Sequence, residues 1–284
     1  MDSVATDLSE TIQAESSPGL GGRLKHTWRL VTVLVGMEIK LRYGDSALGY
    51  VWTIGKPMLL FSILYVVFGQ LVRFSAHPPH YALYLVIGVM LWSFFADGTT
   101  RTMNSIVSNG SLLRKLPFPR LVVPLAASLT SFVTFGLSLI AIAVFVGANA
   151  ISPTLEWPVL LLDLIELYLF VLGLGLVLAV IYVHLRDIAQ VWELGLQLLF
   201  FLSPIIYPFT EIGNPRYRQI MMLNPFTQVM QDFRAIIIHD DPTVIVAPAA
   251  FTPLRVLPLA IVAFMLVLGI YMFKRDEPWL PERV

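Results

Sequence analysis

The sequence predicts an all-α integral membrane protein with six transmembrane helices, and three observations predict it. Of 284 residues, 57% are hydrophobic and only 13% charged, about half the charged share usual in soluble domains. The charges are unevenly spread, and none occurs between Arg120 and Glu156. Several uncharged stretches therefore reach the roughly 20 residues that a helix needs to cross a bilayer. Cysteine is absent, which excludes a disulfide-stapled scaffold. The five His form no ligand grouping, so no metal site is expected. Nineteen basic residues balance nineteen acidic ones, which argues against nucleic acid as a partner.

In chain order, residues 1–22 are polar, acidic and rich in Gly at their end. They lack the apolar core of a signal sequence and read as a flexible tail before one membrane domain over 23–284. From Leu24 to Arg42, Lys25, Arg29, Thr32, Gly36 and Lys40 recur at spacings of four, three, four and four. Trp28, Leu30, Val31, Leu34 and Val35 fill the positions between, which makes a helix with one polar stripe. Its uncharged run, Leu30 to Met37, is too short to span. The helix is expected to lie in the interface with basic side chains toward headgroups; an ordinary flank of the first span is the alternative.

The first span is expected at 48–72, interrupted by Gly55-Lys56-Pro57, because kinked membrane helices tolerate Pro where neighbours compensate. The second, 81–100, carries Trp92, Phe94, Phe95 and Asp97. The third occupies the uncharged stretch 121–146 and ends at a turn-rich GANAISP; the fourth covers 158–183. The fifth, 188–207, includes Glu193 and stops at Pro204 and Pro208, and the sixth, 256–273, ends at Lys274-Arg275. Between the last two lies an outer segment, 209–255, with helical pieces around Tyr217–Leu223 and Pro225–Ile238. The second piece shows an apolar face of Phe226, Val229, Met230, Phe233, Ile236 and Ile237. Two short re-entrant helices are the functional reading of this segment, and a folded outer loop is the alternative.

Six spans place both termini on one side. Lys56 aside, 13 of the other 18 basic residues fall there: Arg23, Lys25, Arg29, Lys40, Arg42, Arg101, Arg114, Lys115, Arg120, Arg186, Lys274, Arg275 and Arg283. The excess of Lys and Arg makes that side cytoplasmic. Arg73, Arg216, Arg218, Arg234 and Arg255 are assigned to the outside.

No catalytic site is expected. The nearest approach to a phosphate loop, Gly49 to Gly55 followed by Lys56, is one residue too long and has Pro57 where Ser or Thr should bind magnesium. Asp97, Asp163, Glu166 and Glu193 lie within or near spans and must face protein, a cavity or an interface. A proton-coupled transporter could use them. Against that, Asp163 and Glu166 lie roughly 8 to 12 Å from the outer end of their span, and Asp97 and Glu193 lie toward cytoplasmic ends. Aromatic residues cluster in three spans: Tyr50, Trp52, Phe61, Tyr65 and Phe68; Trp92, Phe94 and Phe95; Phe200, Phe201 and Tyr207. Such rings can stack on the apolar faces of sugars, so they could line a glycan channel; a membrane core with interfacial belts is the plainer alternative.

Five stretches resemble the membrane subunits of type-2 ABC exporters that move O-antigens, teichoic acids, capsules and related glycans. They are EIKLRYGDSALGYVWTIGKPMLL (38–60), LLRKLPFPRLVVP (112–124), VHLRDIAQ (183–190), SPIIYP (203–208) and LNPFTQV (223–229). Their order and spacing cover nearly the whole chain after the tail. Lys56 departs from the pattern, which has an uncharged residue there. The resemblance implies a homodimer of six-span subunits, each bound to a separate nucleotide-binding ATPase subunit that holds ATP and magnesium, and none of these cofactors on this chain. It implies export of a polysaccharide linked to a polyprenyl phosphate or diphosphate, from the cytoplasmic side of a bacterial inner or plasma membrane. A type-2 ABC permease for a drug or lipid is the alternative within transport.

On the same resemblance, the segment 104–119 becomes the coupling element, with Asn109, Leu112, Leu113, Arg114 and Lys115 offered to the ATPase and Arg186 and Asp187 as a second contact. Lys25, Arg29, Lys40 and Arg42 become candidates for recruiting the lipid phosphate, with generic attraction to anionic membrane lipids the alternative. Tyr50, Trp52, Tyr65, Phe68, Trp92, Phe95, Phe200, Phe201 and Tyr207 become candidates for the channel wall. Arg outnumbers Lys 14 to 5, which hints at a GC-rich genome such as an actinobacterium's, where a lipid-linked cell-wall galactan would be a plausible cargo.

Overall fold

The structure is a computed structural model that describes residues 20–43, 47–72, 80–115, 118–238 and 253–277. The tail before Leu20, Gly44-Asp45, Pro117 and residues 239–252 of the outer segment lie outside the described residues, as do the side chains of Arg42, Tyr50 and Lys115. Among the described residues all regular structure is helical. The helices are α1 (Leu20–Tyr43), α2 (Ala47–Leu64), α3 (Tyr81–Ser108), α4 (Gly110–Lys115), α5 (Val122–Ala148), α6 (Val159–His184), α7 (Ile188–Leu202), α8 (Pro215–Met222), α9 (Pro225–Ile237) and α10 (Pro253–Asp276). From Tyr65 to Leu71, α2 continues with π-helical geometry.

Five of these, α2, α3, α5, α6 and α10, are long and apolar enough to cross a membrane. The expected fifth span, 188–207, forms a shorter helix than its sequence suggests. α7 has 15 residues, about 22 Å of rise, because Pro204 and Pro208 cannot continue a helix and Ser203 to Tyr207 leave it for an irregular path. Conversely, α3 runs to Ser108 and absorbs the first residues of the segment expected to couple.

The bundle is organised around α3, which packs on α5 and α6 and more lightly on α2, α7 and α9. Its run from Leu83 to Trp92 is buried without interruption. α6 has α10 on its other side, and the two cross with their backbones nearly touching. A Cβ at Gly173 would lie 2.7 Å from the Leu266 nitrogen, and one at Gly269 would lie 2.6 Å from the Gly173 carbonyl oxygen. Small residues permit such approaches between membrane helices, where dispersion replaces the hydrophobic effect as the source of attraction.

The two ends of the bundle differ. At one, Ile106, Leu113, Val123, Val183 and Phe273 join the last turns of α3, α6 and α10 to α4 and the start of α5. His184 Nε2 stands 3.4 Å from Asp276 Oδ2, and the Arg120 amide donates to Glu277 Oε1 at 3.3 Å. Exposed Arg114, Arg186, Lys274 and Arg275 make this end basic. At the opposite end a His80–Asn149 contact of 3.0 Å ties the start of α3 to the end of α5.

Replacing Gly173 with Leu is expected to destabilise the folded protein by about 2 kcal/mol, because the new side chain overpacks the α10 backbone. Gly136→Leu, at a position with open space around it, should leave stability unchanged. Unfolding midpoints of the two variants in detergent check this.

Candidate functional site

The residues that the sequence brings forward separate into an inner lock, an aromatic cluster and two presented surfaces. The lock is built on Arg234, a residue of α9 with no exposed surface. Its guanidinium donates from Nε to the Tyr84 carbonyl at 3.1 Å, from Nη1 to the Pro204 carbonyl at 2.7 Å and from Nη2 to the Ile205 carbonyl at 2.9 Å. Its carbon lies 3.4 Å from the centre of the Tyr84 ring, a cation–π contact strengthened by the absence of water. The Tyr81 hydroxyl donates to the Ile206 carbonyl at 2.9 Å, and the Tyr84 hydroxyl to the Tyr207 carbonyl at 3.0 Å. Four successive carbonyls, 204 to 207, thus accept from side chains of α3 and α9. Gly88 makes room for this, since a Cβ there would fall 2.6 Å from Arg234 Nη2.

The sequence reading counted Arg234 only among the basic residues on the side away from the termini and gave it no role in packing. Its helix is buried along nearly its whole length, including the polar positions Thr227, Gln228, Gln231 and Asp232. Asn224 starts that helix, its Oδ1 accepting from the Phe226 amide at 3.1 Å with Pro225 following, the usual cap chemistry of Asn before Pro. Asp163 and Glu166, on the side of α6, are buried too, and α9 packs on that helix. The side-chain amides of Gln228 and Gln231 make no hydrogen bond among the described residues.

The nominated aromatics do not form one wall. Trp92 and Phe95 are 7% and 2% exposed and belong to an interior cluster. Trp92 meets Phe200 at 5.5 Å and Phe226 at 5.3 Å between ring centres, and Phe95 meets Phe170 at 5.7 Å and Phe226 at 5.4 Å. Tyr65 stacks between Phe61 and Tyr81, with Phe68 half-buried beside the same core. Tyr207 is half-buried, its hydroxyl donating to the Phe201 carbonyl at 3.1 Å. Among the nominated rings with described side chains, only Trp52 and Phe201, at 54% and 66% exposure, are mostly exposed.

At the basic end, Leu113 is 6% exposed, packed under α4 rather than offered outward as the sequence suggested. A single-turn amphipathic helix has one apolar side, and here that side faces its own bundle. Ser111 and Arg114 remain exposed, Leu112 is half-covered, and Asn109 caps the end of α3 through Nδ2 to the Ser105 carbonyl at 2.9 Å. Arg186 and Asp187 are exposed in the turn before α7, the former 5.4 Å over the Tyr182 ring. Along α1, Lys25, Arg29, Thr32, Gly36 and Lys40 are all exposed. The opposite face, Leu30, Val31, Leu34 and Val35, packs on Val122 and Ala126 of α5.

Residues 29–238 match the ABC-2 type transporter family, a stretch that runs from α1 through α9 and takes in both the lock and the basic end. The chain belongs to that family. Among its relatives is the O-antigen export system permease protein RfbA of Myxococcus xanthus, 31% identical over 210 residues, or 73% of this chain and 79% of the relative. The protein of the same name from Klebsiella pneumoniae is 26% identical over 220 residues, 76% of this chain and 83% of the relative. The polysialic acid transport protein KpsM of Escherichia coli is 24% identical over 209 residues, 71% and 78% of the two chains. Within this ABC-2 chain, Arg234, Tyr84 and Tyr81 are the structural residues that sequence reasoning missed. The available signal was a lone arginine on an otherwise apolar helical face.

Arg234→Met is expected to cost at least about 3 kcal/mol, because it removes three buried charge-assisted hydrogen bonds, including the one that the Ile205 carbonyl accepts. Arg234→Lys, which keeps the charge but not the planar fork, should fall between Met and the parent. Thermal unfolding of the detergent-purified variants reads the order.

Proposed function

We propose that the chain is the permease subunit of an ATP-driven exporter that moves a polysaccharide linked to a polyprenyl phosphate or diphosphate across the bacterial inner or plasma membrane. The observation that carries this reading is the likeness to O-antigen export permeases across some three quarters of the chain. In that reading the subunit works as a homodimer with both termini cytoplasmic. Two copies of a separate ATPase subunit hold ATP and magnesium and dock on the basic end through Ser111, Arg114, Arg186 and Asp187. The exposed cations of α1 meet the lipid phosphate at headgroup level. Glycan identity follows from chemistry outside this chain.

For the path, Trp52 and Phe201 are the rings with free faces for sugars to stack on. Many weak contacts suit a long polymer, since a tight site would hold it in place. Trp92 and Phe95 act instead through packing. The depth of the 225–237 helix supports the re-entrant reading. Phe226 meets Trp92 and Phe95, 11 and 14 residues into α3 and so roughly 16 to 21 Å from its start, whereas Arg234 meets Tyr84, near that start.

Purification of the tagged chain from its native membrane, with mass spectrometry of co-eluting proteins, should recover an equimolar ATPase subunit. Double replacement of Arg114 and Arg186 by Glu should lower that recovery about tenfold or more, since like and unlike charges at a docking rim discriminate by several kcal/mol. Recovery of the chain alone, even after crosslinking in the membrane, would overturn the reading. Within transport, Trp52→Ala and Phe201→Ala should each slow export severalfold with stability unchanged, whereas Trp92→Ala should lower stability by about 3–5 kcal/mol.

A further inference from the structure

α2 and α7 are the least covered of the apolar helices. No residue of α7 is buried, and α2 leaves Trp52, Lys56, Leu59, Ile63, Val66 and Gln70 exposed. Those positions follow one another at four, three, four, three and four, the spacing of a helix–helix seam. On α7, Gln190, Leu194, Gln197 and Phe201 are exposed at four, three and four, with Glu193 exposed beside them. Each of the two faces therefore carries a charge within an otherwise uncharged helix. Neither Lys56 nor Glu193 makes an ion pair among the described residues.

Such charges do not belong against hydrocarbon. Glu193 lies five residues into α7, about 8 Å from its start, and its short stem cannot reach the headgroups from there. Lys56 lies nine residues into α2, about 13 Å. The two helices run in the same direction, being the first and fifth of an alternating up-down series, so both depths are measured from the same end. Side chains lean toward the N-terminus of their helix, and the longer lysine stem brings its ammonium back toward the level of the Glu193 carboxylate. Within one subunit the two helices pack on α3 rather than on each other.

We propose that Lys56 of one subunit forms an ion pair with Glu193 of the other across the seam of a homodimer, and that the twofold axis makes the pair twice. The occupant of the α2 and α7 faces is a second copy of this chain, and the glycan path of the proposed function, with Trp52 and Phe201 on its wall, runs along the same interface. Charge complementarity at matched depth is the argument, and Gln190 and Gln197 add polar atoms that lipid could not satisfy. A twofold interface pairs residue i with j and j with i, so one complementary couple fixes the register of the whole seam. The inference rests on the homodimer part of the proposed function.

The chain contains no cysteine, so a Lys56→Cys, Glu193→Cys double variant can be oxidised in native membranes without background. A crosslinked dimer is expected in the double variant, at about tenfold the yield of either single variant. Independently, Lys56→Glu and Glu193→Lys are each expected to lower the dimer fraction about tenfold, and the Lys56→Glu/Glu193→Lys exchange to return it to within about twofold of the parent. Subunit number of the unmodified protein is counted in parallel by single-molecule photobleaching in the membrane. A dimer without the crosslink, or without rescue by the exchange, overturns the pair and leaves the homodimer standing. A monomer overturns both.

Discussion

At the end of the bundle opposite the basic one, everything depends on one requirement: the carbonyls of an irregular stretch inside an apolar bundle must find donors from protein. Pro204 and Pro208 end the helix before them, and in hydrocarbon each unsatisfied backbone group costs several kcal/mol. The carbonyls of residues 204 to 207 are met by Arg234, Tyr81 and Tyr84. That solution dictates much else. It brings α9 into the bundle as the carrier of Arg234, demands Gly88 opposite the guanidinium, and fixes two tyrosines in the first turn of α3. A buried charge is tolerable here because three carbonyl dipoles and an aromatic face replace its hydration.

The long helices were legible because their signals are local. Hydrophobic length located α3, α5 and α6, helical periodicity placed short helices near α8 and α9, and the spacing of Lys25, Arg29, Thr32, Gly36 and Lys40 picked out the stripe that is exposed on α1. The partners of Arg234 were not legible, because they lie 29, 30 and 150 residues away. The aromatics posed a different difficulty. Composition distinguishes a ring from an aliphatic chain but not an inward ring from an outward one, so Trp52 and Trp92 looked alike until packing separated them. Leu113 failed for the same reason, since an apolar residue on a short helix has two bundles it could face.

Burial divides the molecule into a finished interior and unfinished faces. α3 and α6 are packed nearly throughout, locked by close backbone approach at Gly173 and Gly269 and by interlocked rings around Trp92, Phe95 and Phe226. α2 and α7 lie at the margin with mixed faces, polar where a lipid-facing helix would be uniformly apolar. In a membrane the hydrophobic effect does not drive helices together, so what distinguishes a face awaiting protein or water from one awaiting lipid is the polar group it presents. By that criterion the outer sides of α5 and α10, with Val133, Ile140, Val144, Phe264 and Val267 exposed, are lipid-facing and those of α2 and α7 are not.

The same division bears on how force would travel. α3 is 28 residues long, about 42 Å by helical rise, without proline. α4 abuts its last turn, while Tyr81 and Tyr84 in its first turn hold the 204–207 segment. A displacement applied at α4 would thus reach the Arg234 lock through a rod with no joint in it. α2 is built oppositely, with Pro57 in its middle and π-helical geometry from Tyr65 onward, both of which interrupt the regular hydrogen-bond ladder. A rigid centre beside a jointed margin lets the margin change its path while the interior keeps its packing, and it is the margin that carries the exposed Trp52 and Lys56.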